Sequence, residues 1–158
     1  MRPLEHFLIQ FGIRSFSERD DVLFVEGNKY YLISKEIANI IKRTKKPFYV
    51  GTYLGKARGR KFFPSVNLLN MMKRKSRNKI WIDKKAEWLF VCGRDLFAEG
   101  ITRATHTVYK GIITIVMNKN DEVLGFGKAV KGIKEKDVVV DNIFDIGDFL
   151  RRERKIKK

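Results

Sequence analysis

Basic side chains are concentrated in two segments of this 158-residue chain, and their chemistry is phosphate binding. Residues 42–79 contain 13 Lys and Arg and no acidic residue, while 151–158 contain six basic residues and one acidic residue. The ranges 1–41 and 80–150 each have a net charge of −1, so the two segments account for the whole formal net charge of +16. An excess of this size indicates a polyanionic partner, foremost nucleic acid, with an acidic membrane surface as the weaker alternative.

The cations of the last segment share one side of a predicted helix. If the chain is helical from Asp148 onward, at about 100° per residue, Phe149 and Ile156 fall together on one side. Four cations fall within a sector of about 120° on another side: Arg151, Arg152, Lys155 and Lys158. The helix macrodipole explains one or two cations at a C-terminus, but not four in alignment. We therefore predict that Phe149 and Ile156 dock the helix and that the four cations contact RNA.

The other basic segment interleaves cations with aromatic rings, a combination that is used to bind single-stranded nucleic acid. A loop is predicted at Gly55–Lys61, and its cations are Lys56, Arg58, Arg60 and Lys61. For these cations two interpretations stay open, RNA contact and ordinary solvation. For Phe62 and Phe63, burial in the core is the better interpretation.

The sequence contains no recognisable catalytic or metal-binding motif. Gly125-Phe126-Gly127 lacks the third glycine of a dinucleotide-binding loop, and Gly55-Lys56 is not followed by the Ser or Thr of a P-loop. Cys92 has no zinc-finger partner at the right spacing and is expected to be a buried core residue. Asp145 and Asp148 precede a helical pattern, where carboxylates usually cap the helix. We expect no catalytic activity, no metal and no cofactor.

A charged segment without periodicity, 73–79, divides the chain into two expected domains, 1–78 and 79–158. The elements predicted before the division are a helix from Pro3, a hairpin of Val22–Val25 and Lys29–Ile33, a helix from Ser34, a strand at Phe48–Val50 and a helix from Ser65 to about Lys75. The strands predicted after it are Lys79–Ile82, Trp88–Val91, Gly111–Met117, Glu122–Gly127 and Val138–Val140, with a short helix at Arg94–Glu99. Such closely spaced strands indicate a small barrel.

The composition also predicts a cytoplasmic protein without a membrane partner. The longest stretch without a charged residue, Phe62–Met72, has 11 residues, whereas a membrane-spanning helix needs about 20. The N-terminal residues lack the apolar core of a signal peptide. A single cysteine cannot form an internal disulfide, which fits a reducing compartment.

Parts of the sequence resemble a known family. The segments Trp81–Phe97, Asp121–Ala129 and Asp145–Glu153 resemble a PUA domain, an RNA-binding pseudobarrel. The segments that match, in order, the nuclear-import-protein-seven family of large-ribosomal-subunit biogenesis factors are Met1–Leu4, Tyr30–Ser34, Gly51–Lys56, Lys61-Phe62 and Tyr109–Gly111. The chain therefore resembles an archaeal member of that family over its whole length.

This resemblance implies an α+β protein with an N-terminal α/β domain and a C-terminal PUA pseudobarrel of mostly antiparallel strands. It implies binding to pre-ribosomal RNA of the large subunit, a preference for uridine-rich single strands, and partners among other ribosome assembly proteins. It implies no enzyme activity, cofactor or small-molecule substrate. The family's RNA-contacting surface corresponds to Arg151, Arg152, Lys155 and Lys158, although eukaryotic members have fewer basic residues after Arg151. An archaeal member would be cytoplasmic, and a eukaryotic relative would be nucleolar.

Two other functions remain compatible with the residues. An RNA-modification enzyme, or its accessory subunit, would use the PUA domain to deliver RNA. Residues 1–78, however, are short for a modification domain and contain no recognisable cofactor loop or nucleophile. A protein-interaction module would instead direct the basic segments to acidic proteins, and its contacts would survive the removal of RNA.

Overall fold

The computed structural model of the chain describes residues 2–14, 21–41, 43, 51–132, 137–148 and 151. The described residues of Met1–Ile9 and Ile13–Met72 form one compact unit, the first unit. Those of Gln10–Gly12 and Lys73–Lys158 form the second unit.

The described chain up to Lys75 contains a four-stranded antiparallel sheet and three helices. In chain order the elements are α1 (Pro3–Ile9), β1 (Asp21–Glu26), β2 (Lys29–Ser34), α2 (Lys35–Ile41), β3 (Thr52–Arg58), β4 (Lys61–Pro64) and α3 (Val66–Lys75). The strands lie side by side in their chain order, β1-β2-β3-β4. The predicted strand at Phe48–Val50 lies outside the described residues.

One face of the first unit's sheet is packed against α1. Phe62 of β4 is only 8% exposed, and its ring centroid lies 5.5 Å from Phe7 of α1 and 5.3 Å from Tyr30 of β2. The burial expected for Phe62 is therefore confirmed, whereas its neighbour Phe63 is partly exposed. Because successive residues of a strand point to opposite faces, Phe63 belongs to the face that is turned away from α1.

The predicted helix from Ser65 is confirmed, and its start has a clear physical cause. The Ser65 hydroxyl accepts a hydrogen bond from the backbone N–H of Leu68 at 3.2 Å, as an N-cap side chain does. Leu68, Leu69 and Met72, which share one side of the helix, are completely buried.

The loop predicted at Gly55–Lys61 is wrong, because these residues form the end of a β-hairpin. Arg58 of β3 pairs directly with Lys61 of β4, and Gly59 and Arg60 make the turn between them. Gly59 has a φ of 58°, and such tight hairpin turns require positive φ, which glycine adopts without strain. Because strand pairing sets the face to which each residue of the hairpin belongs, the cations predicted in a loop have defined positions on the sheet.

The described part of the second unit contains a six-stranded sheet, the helix α4 (Lys84–Val91) and a 3₁₀ helix (Ala98–Gly100). Its strands are β5 (Lys79–Ile82), β6 (Leu96–Phe97), β7 (Ile101–Ala104), β8 (Ile113–Met117), β9 (Val123–Ala129) and β10 (Val138–Asp145). The strand order is β6-β10-β9-β8-β5-β7, and every neighbouring pair is antiparallel except β5 and β8. Ile80, Phe90 and Val139 are fully buried at the centre of its core. The predicted α+β class with mostly antiparallel strands is confirmed.

Three local predictions in the second unit are wrong. Trp88–Val91 is the end of α4 rather than a strand, because Asp83 caps a helix there by accepting from the Ala86 N–H at 2.8 Å. Cys92, expected in the core, is exposed just after that helix. The helix expected at Arg94–Glu99 is replaced by β6 and the start of the 3₁₀ helix.

Candidate nucleic-acid interface

The side chain of Arg151 is held in place by a bidentate hydrogen-bonded ion pair with Asp145. Its Nη1 donates to Asp145 Oδ1 at 2.8 Å and its Nη2 donates to Oδ2 at 2.7 Å. Nη1 also donates to the backbone carbonyl of Val91, at the C-terminal end of α4. The Asp145 side chain is 3% exposed and that of Arg151 is 37% exposed. The hydrogen bond from Arg151 to this carboxylate raises the pKa of the guanidinium, which burial opposes only in part.

The local sequence prepares Asp145 for this contact. Asp145 is the last residue of β10, and its Oδ1 also accepts from the backbone N–H of Gly147 at 2.9 Å. A side-chain amide hydrogen of Asn142 points to its Oδ2 at 3.3 Å. The carboxylate therefore closes the turn after β10 and binds the arginine that follows it. Asp145 therefore closes the turn before the helix instead of capping the helix as expected, because the N–H that it accepts belongs to Gly147, which precedes the helical residue Asp148.

Two glycines allow the segment after β10 to lie against the end of α4. A Cβ on Gly147 would come within 2.2 Å of the Val91 carbonyl oxygen, so only glycine fits there. A Cβ on Gly93 would lie 3.3 Å from the Arg151 guanidinium, which covers this glycine. Arg151 N–H donates to the Gly147 carbonyl at 3.1 Å, which is the spacing of an α-helix.

The structure places one of the four predicted tail residues. Arg151 and Asp148 are helical, as expected. Arg152, Lys155 and Lys158, together with the docking residues Phe149 and Ile156, lie outside the described residues. Arg151, the first cation of the basic segment, is thus fixed to the folded unit by its contacts with Asp145 and Val91.

The cations of the hairpin between β3 and β4 lie on the face of the sheet turned away from α1 or at its turn. Arg58 and Lys61 form a directly opposed pair and are exposed, as is Arg60 in the turn. Lys56 is partly exposed and pairs with Phe63. The Arg58 guanidinium carbon lies 5.7 Å from the centroid of the Phe63 ring, within the range of a cation–π contact.

A stacked pair that the sequence analysis did not single out lies on β5 and β7. Trp81 pairs with Arg103, whose guanidinium carbon lies 3.5 Å from the indole centroid. The indole N–H of Trp81 donates to Asp121 Oδ1 at 2.6 Å, and Arg103 lies 3.7 Å from the same oxygen. Because β7 was not predicted, nothing in the sequence placed Arg103 opposite Trp81. Asp121 offsets the charge of Arg103, so this stack would bind a phosphate more weakly than a free arginine.

A cleft of about 270 Å³ lies between α4 and β6. Its charged lining residues are Asp83, Lys85, Asp95 and Glu99. The three carboxylates outnumber the single lysine and give the cleft a net negative charge that repels phosphate, so the cleft is unsuited to RNA. Within the described ranges, no group of three or more His, Cys, Asp or Glu is arranged to hold a metal ion. No helix in the described part of the chain is long and apolar enough to cross a membrane.

Comparison with protein families identifies both halves of the chain. Residues 1–66 match the NIP7/UPF0113 pre-PUA domain, and residues 78–154 match the UPF0113 PUA domain. The fold and these matches define a protein of the class that combines a pre-PUA region with a PUA pseudobarrel. The chain belongs to the NIP7/UPF0113 family, as the resemblance predicted.

Relatives cover most of the chain. A UPF0113 protein of Archaeoglobus fulgidus is 32% identical over 162 residues, which cover 98% of this chain and 91% of that protein. The 60S ribosome subunit biogenesis protein NIP7 homologue of Tetraodon nigroviridis is 28% identical over 140 residues, covering 82% of this chain and 77% of its own length.

Two solved structures have a similar fold. A conserved PUA domain protein from Thermoplasma acidophilum superposes with a TM-score of 0.61 at 21% identity, over 95% of this chain and 91% of its own. A PUA domain protein from Aeropyrum pernix superposes with a TM-score of 0.62 at 12% identity, over 96% of this chain and 86% of its own. These likenesses confirm the expected pseudobarrel.

Proposed function

We propose that this protein is a non-catalytic RNA-binding factor in the biogenesis of the large ribosomal subunit. It binds uridine-rich single strands of pre-ribosomal RNA. The names of the NIP7 relatives support the biological context, and the PUA half supports RNA as the ligand. The observation that carries the proposal is the anchored start of the basic tail, where Arg151 is fixed to Asp145.

In this proposal Arg151 both orients the tail and offers its remaining accessible surface to RNA. Its charge is largely balanced by Asp145, so most of the phosphate binding comes from the cations that follow at helical spacing: Arg152, Lys155 and Lys158. A rigid anchor lowers the conformational entropy that the tail loses on binding. The hairpin cations Lys56, Arg58, Arg60 and Lys61 provide a second, weaker set of phosphate contacts.

The proposal includes partners and a cellular place. Other ribosome assembly proteins are its protein partners, and the cytoplasm of an archaeal cell is its compartment. The division into domains at 1–78 and 79–158 stays part of the prediction. No observation in the described residues specifically favours the RNA-modification hypothesis.

Direct binding to short RNA strands tests the proposal. Three proteins are titrated with uridine-rich and adenine-rich single strands. The first is the full-length protein, and the second is the tail variant, in which Arg152, Lys155 and Lys158 are changed to Gln. The third is a matched variant, in which the exposed residues Lys84, Lys119 and Lys128 are changed to Gln. We expect the tail variant to lose at least tenfold in affinity, and the matched variant less than threefold. The preference for uridine should survive in both, since base contacts rather than charge give sequence preference. Equal loss in the two variants would contradict the tail assignment.

Recovery from cells tests the biological context. The protein is captured from cell extract with and without nuclease treatment, and the bound RNA is sequenced. Large-subunit precursor RNA that disappears with nuclease supports the proposal. Capture of the same proteins after complete RNA removal, without enriched precursor RNA, would instead favour the protein-interaction module.

A further inference from the structure

The face of the first unit's sheet turned away from α1 carries a row of three aromatic rings. The strand register sets Phe24 of β1, Tyr31 of β2 and Tyr53 of β3 side by side. The Tyr31 ring centroid lies 6.3 Å from that of Phe24 and 5.4 Å from that of Tyr53. All three side chains are partly exposed. We call these three residues the aromatic row.

The neighbouring row of the same face is basic. Lys29 of β2 pairs with Lys56 of β3, and Lys56 in turn pairs with Phe63 of β4. On β2, Lys29 and Tyr31 are two residues apart and are therefore separated by about 7 Å on the same face. On β3, Lys56 and Tyr53 are three residues apart, and the register shift opposite Tyr30 and Tyr31 keeps both on this face. The basic row therefore lies within one nucleotide's reach of the aromatic row. Beyond it comes the exposed pair Arg58 and Lys61.

The charge of this face favours a polyanion. Four cations lie in the two rows next to the aromatic row: Lys29, Lys56, Arg58 and Lys61. Glu26, which pairs with Lys29 at the edge strand, is the carboxylate that faces them from β1. Burial raises the pKa of the Tyr53 hydroxyl, and the neighbouring Tyr31 raises it further. A tyrosine hydroxyl is protonated at neutral pH even at its usual pKa of about 10, so the Tyr53 ring is uncharged and does not repel phosphate.

We propose that this face is a second binding surface for single-stranded RNA, separate from the basic tail. Bases stack on Tyr31 and Tyr53, and the phosphates follow Lys29 and Lys56. Partly exposed rings on a four-stranded sheet, bordered by cations, are the arrangement that lets a protein hold unpaired bases. An acidic protein would satisfy the cations but would leave the flat ring surface without a matching group. The inference depends on the proposed function only in taking RNA as the ligand.

Photocrosslinking tests the surface directly. A uridine-rich strand with 5-iodouridine is bound to the full chain and to the tail variant, in which Arg152, Lys155 and Lys158 are Gln. We expect a crosslink to Tyr31 or Tyr53 in both proteins. The tail variant separates the two proposals, because a crosslink there shows that the sheet binds RNA without the three tail cations that this variant lacks.

Substitution of the rings gives the second measurement. Loss of stacking in the variant Tyr31→Ser with Tyr53→Ser should weaken RNA binding by about tenfold. The matched variant Tyr31→Phe with Tyr53→Phe keeps both rings and should bind within about twofold of the parent. If the serine variant fails to fold by circular dichroism, the exposed-site variant Lys29→Glu with Arg58→Glu replaces it, and it should also lose about tenfold.

Three outcomes would overturn the inference. One is the absence of crosslinks at the rings while the parent binds RNA. Another is a folded serine variant that binds RNA as well as the phenylalanine variant. The last is a polyglutamate strand of equal charge that competes with RNA for the tail variant as well as RNA itself does, which would make the face a general site for acidic chains. Each of these leaves the tail proposal standing, because that proposal is tested by the separate comparison of the tail variant with the matched lysine variant.

Discussion

The carboxylate of Asp145 and the guanidinium of Arg151 meet through two parallel hydrogen bonds of 2.7 and 2.8 Å, six residues apart in the chain. This geometry matches the fork of the guanidinium to the two carboxylate oxygens. Asp145 is almost fully buried, so Arg151 is required to balance its charge. The first cation of the basic tail is thus a structural residue as well as a member of the proposed RNA surface.

Replacement of Arg151 should therefore affect stability more than replacement of its neighbour. Arg151→Ala leaves the Asp145 carboxylate buried without its cation, and we expect the free energy of unfolding to fall by about 2 kcal/mol. This is below the range for fully buried pairs because Arg151 is 37% exposed. Arg152→Ala should change the free energy of unfolding by less than about 0.5 kcal/mol. Urea unfolding measures both.

A double-mutant cycle checks that the effect comes from the pair. Asp145→Asn in the Arg151→Ala background should cost less than Asp145→Asn alone, because the buried charge is already without its partner. Strictly additive losses would show that the two residues act independently.

The start of α4 offers a smaller and cleaner test. Asp83 accepts from the Ala86 N–H at 2.8 Å, and Asp83→Ala should lower the free energy of unfolding by about 1 kcal/mol. Asp83→Ser keeps an N-cap acceptor and should recover most of that loss. A serine variant as unstable as the alanine variant would show that the capping hydrogen bond is not the cause.

The raised pKa of Tyr53 predicts a loss of stability in alkali. A tyrosine in the unfolded chain loses its proton near pH 10, whereas Tyr53 in the folded chain keeps its proton to higher pH. Between these two pKa values the unfolded state binds fewer protons than the folded state, so stability falls as the pH rises. Tyr53→Phe should reduce this fall above about pH 9, while the same change at the exposed Tyr109 serves as control. An unchanged pH dependence in Tyr53→Phe would contradict the assignment.

Much of the fold could be predicted because local signals agree with the tertiary structure. Ser65 caps a helix whose buried residues repeat every three to four positions, and both signals are visible in the sequence. Lys79–Ile82 alternates and becomes β5 with the predicted bounds. Trp88–Val91 misled because its uninterrupted apolar run hides the helical period, in which Ala86 and Phe90 are buried and Trp88 is 71% exposed.

The candidate sites could be predicted only in part, because some of their contacts depend on residues far apart in the chain. Charge counting located both basic segments, because charge is a property of the residues themselves. The pairing of Arg151 with Asp145 depends on a turn that Gly147 permits, and the aromatic row depends on the register of three strands. Phe24 and Tyr53 are 29 positions apart in the chain, so no short-range pattern brings them together.

The salt dependence of RNA binding tests the central claim most directly. Each cation that neutralises a phosphate of a single strand contributes about −0.7 to the slope of log affinity against log salt. Changing Arg152, Lys155 and Lys158 to Gln should therefore flatten the slope measured with a uridine-rich strand by about 2. The matched change of Lys84, Lys119 and Lys128 should flatten it by much less. A slope that is unchanged in the tail variant, or altered equally in both, would contradict a phosphate-binding tail.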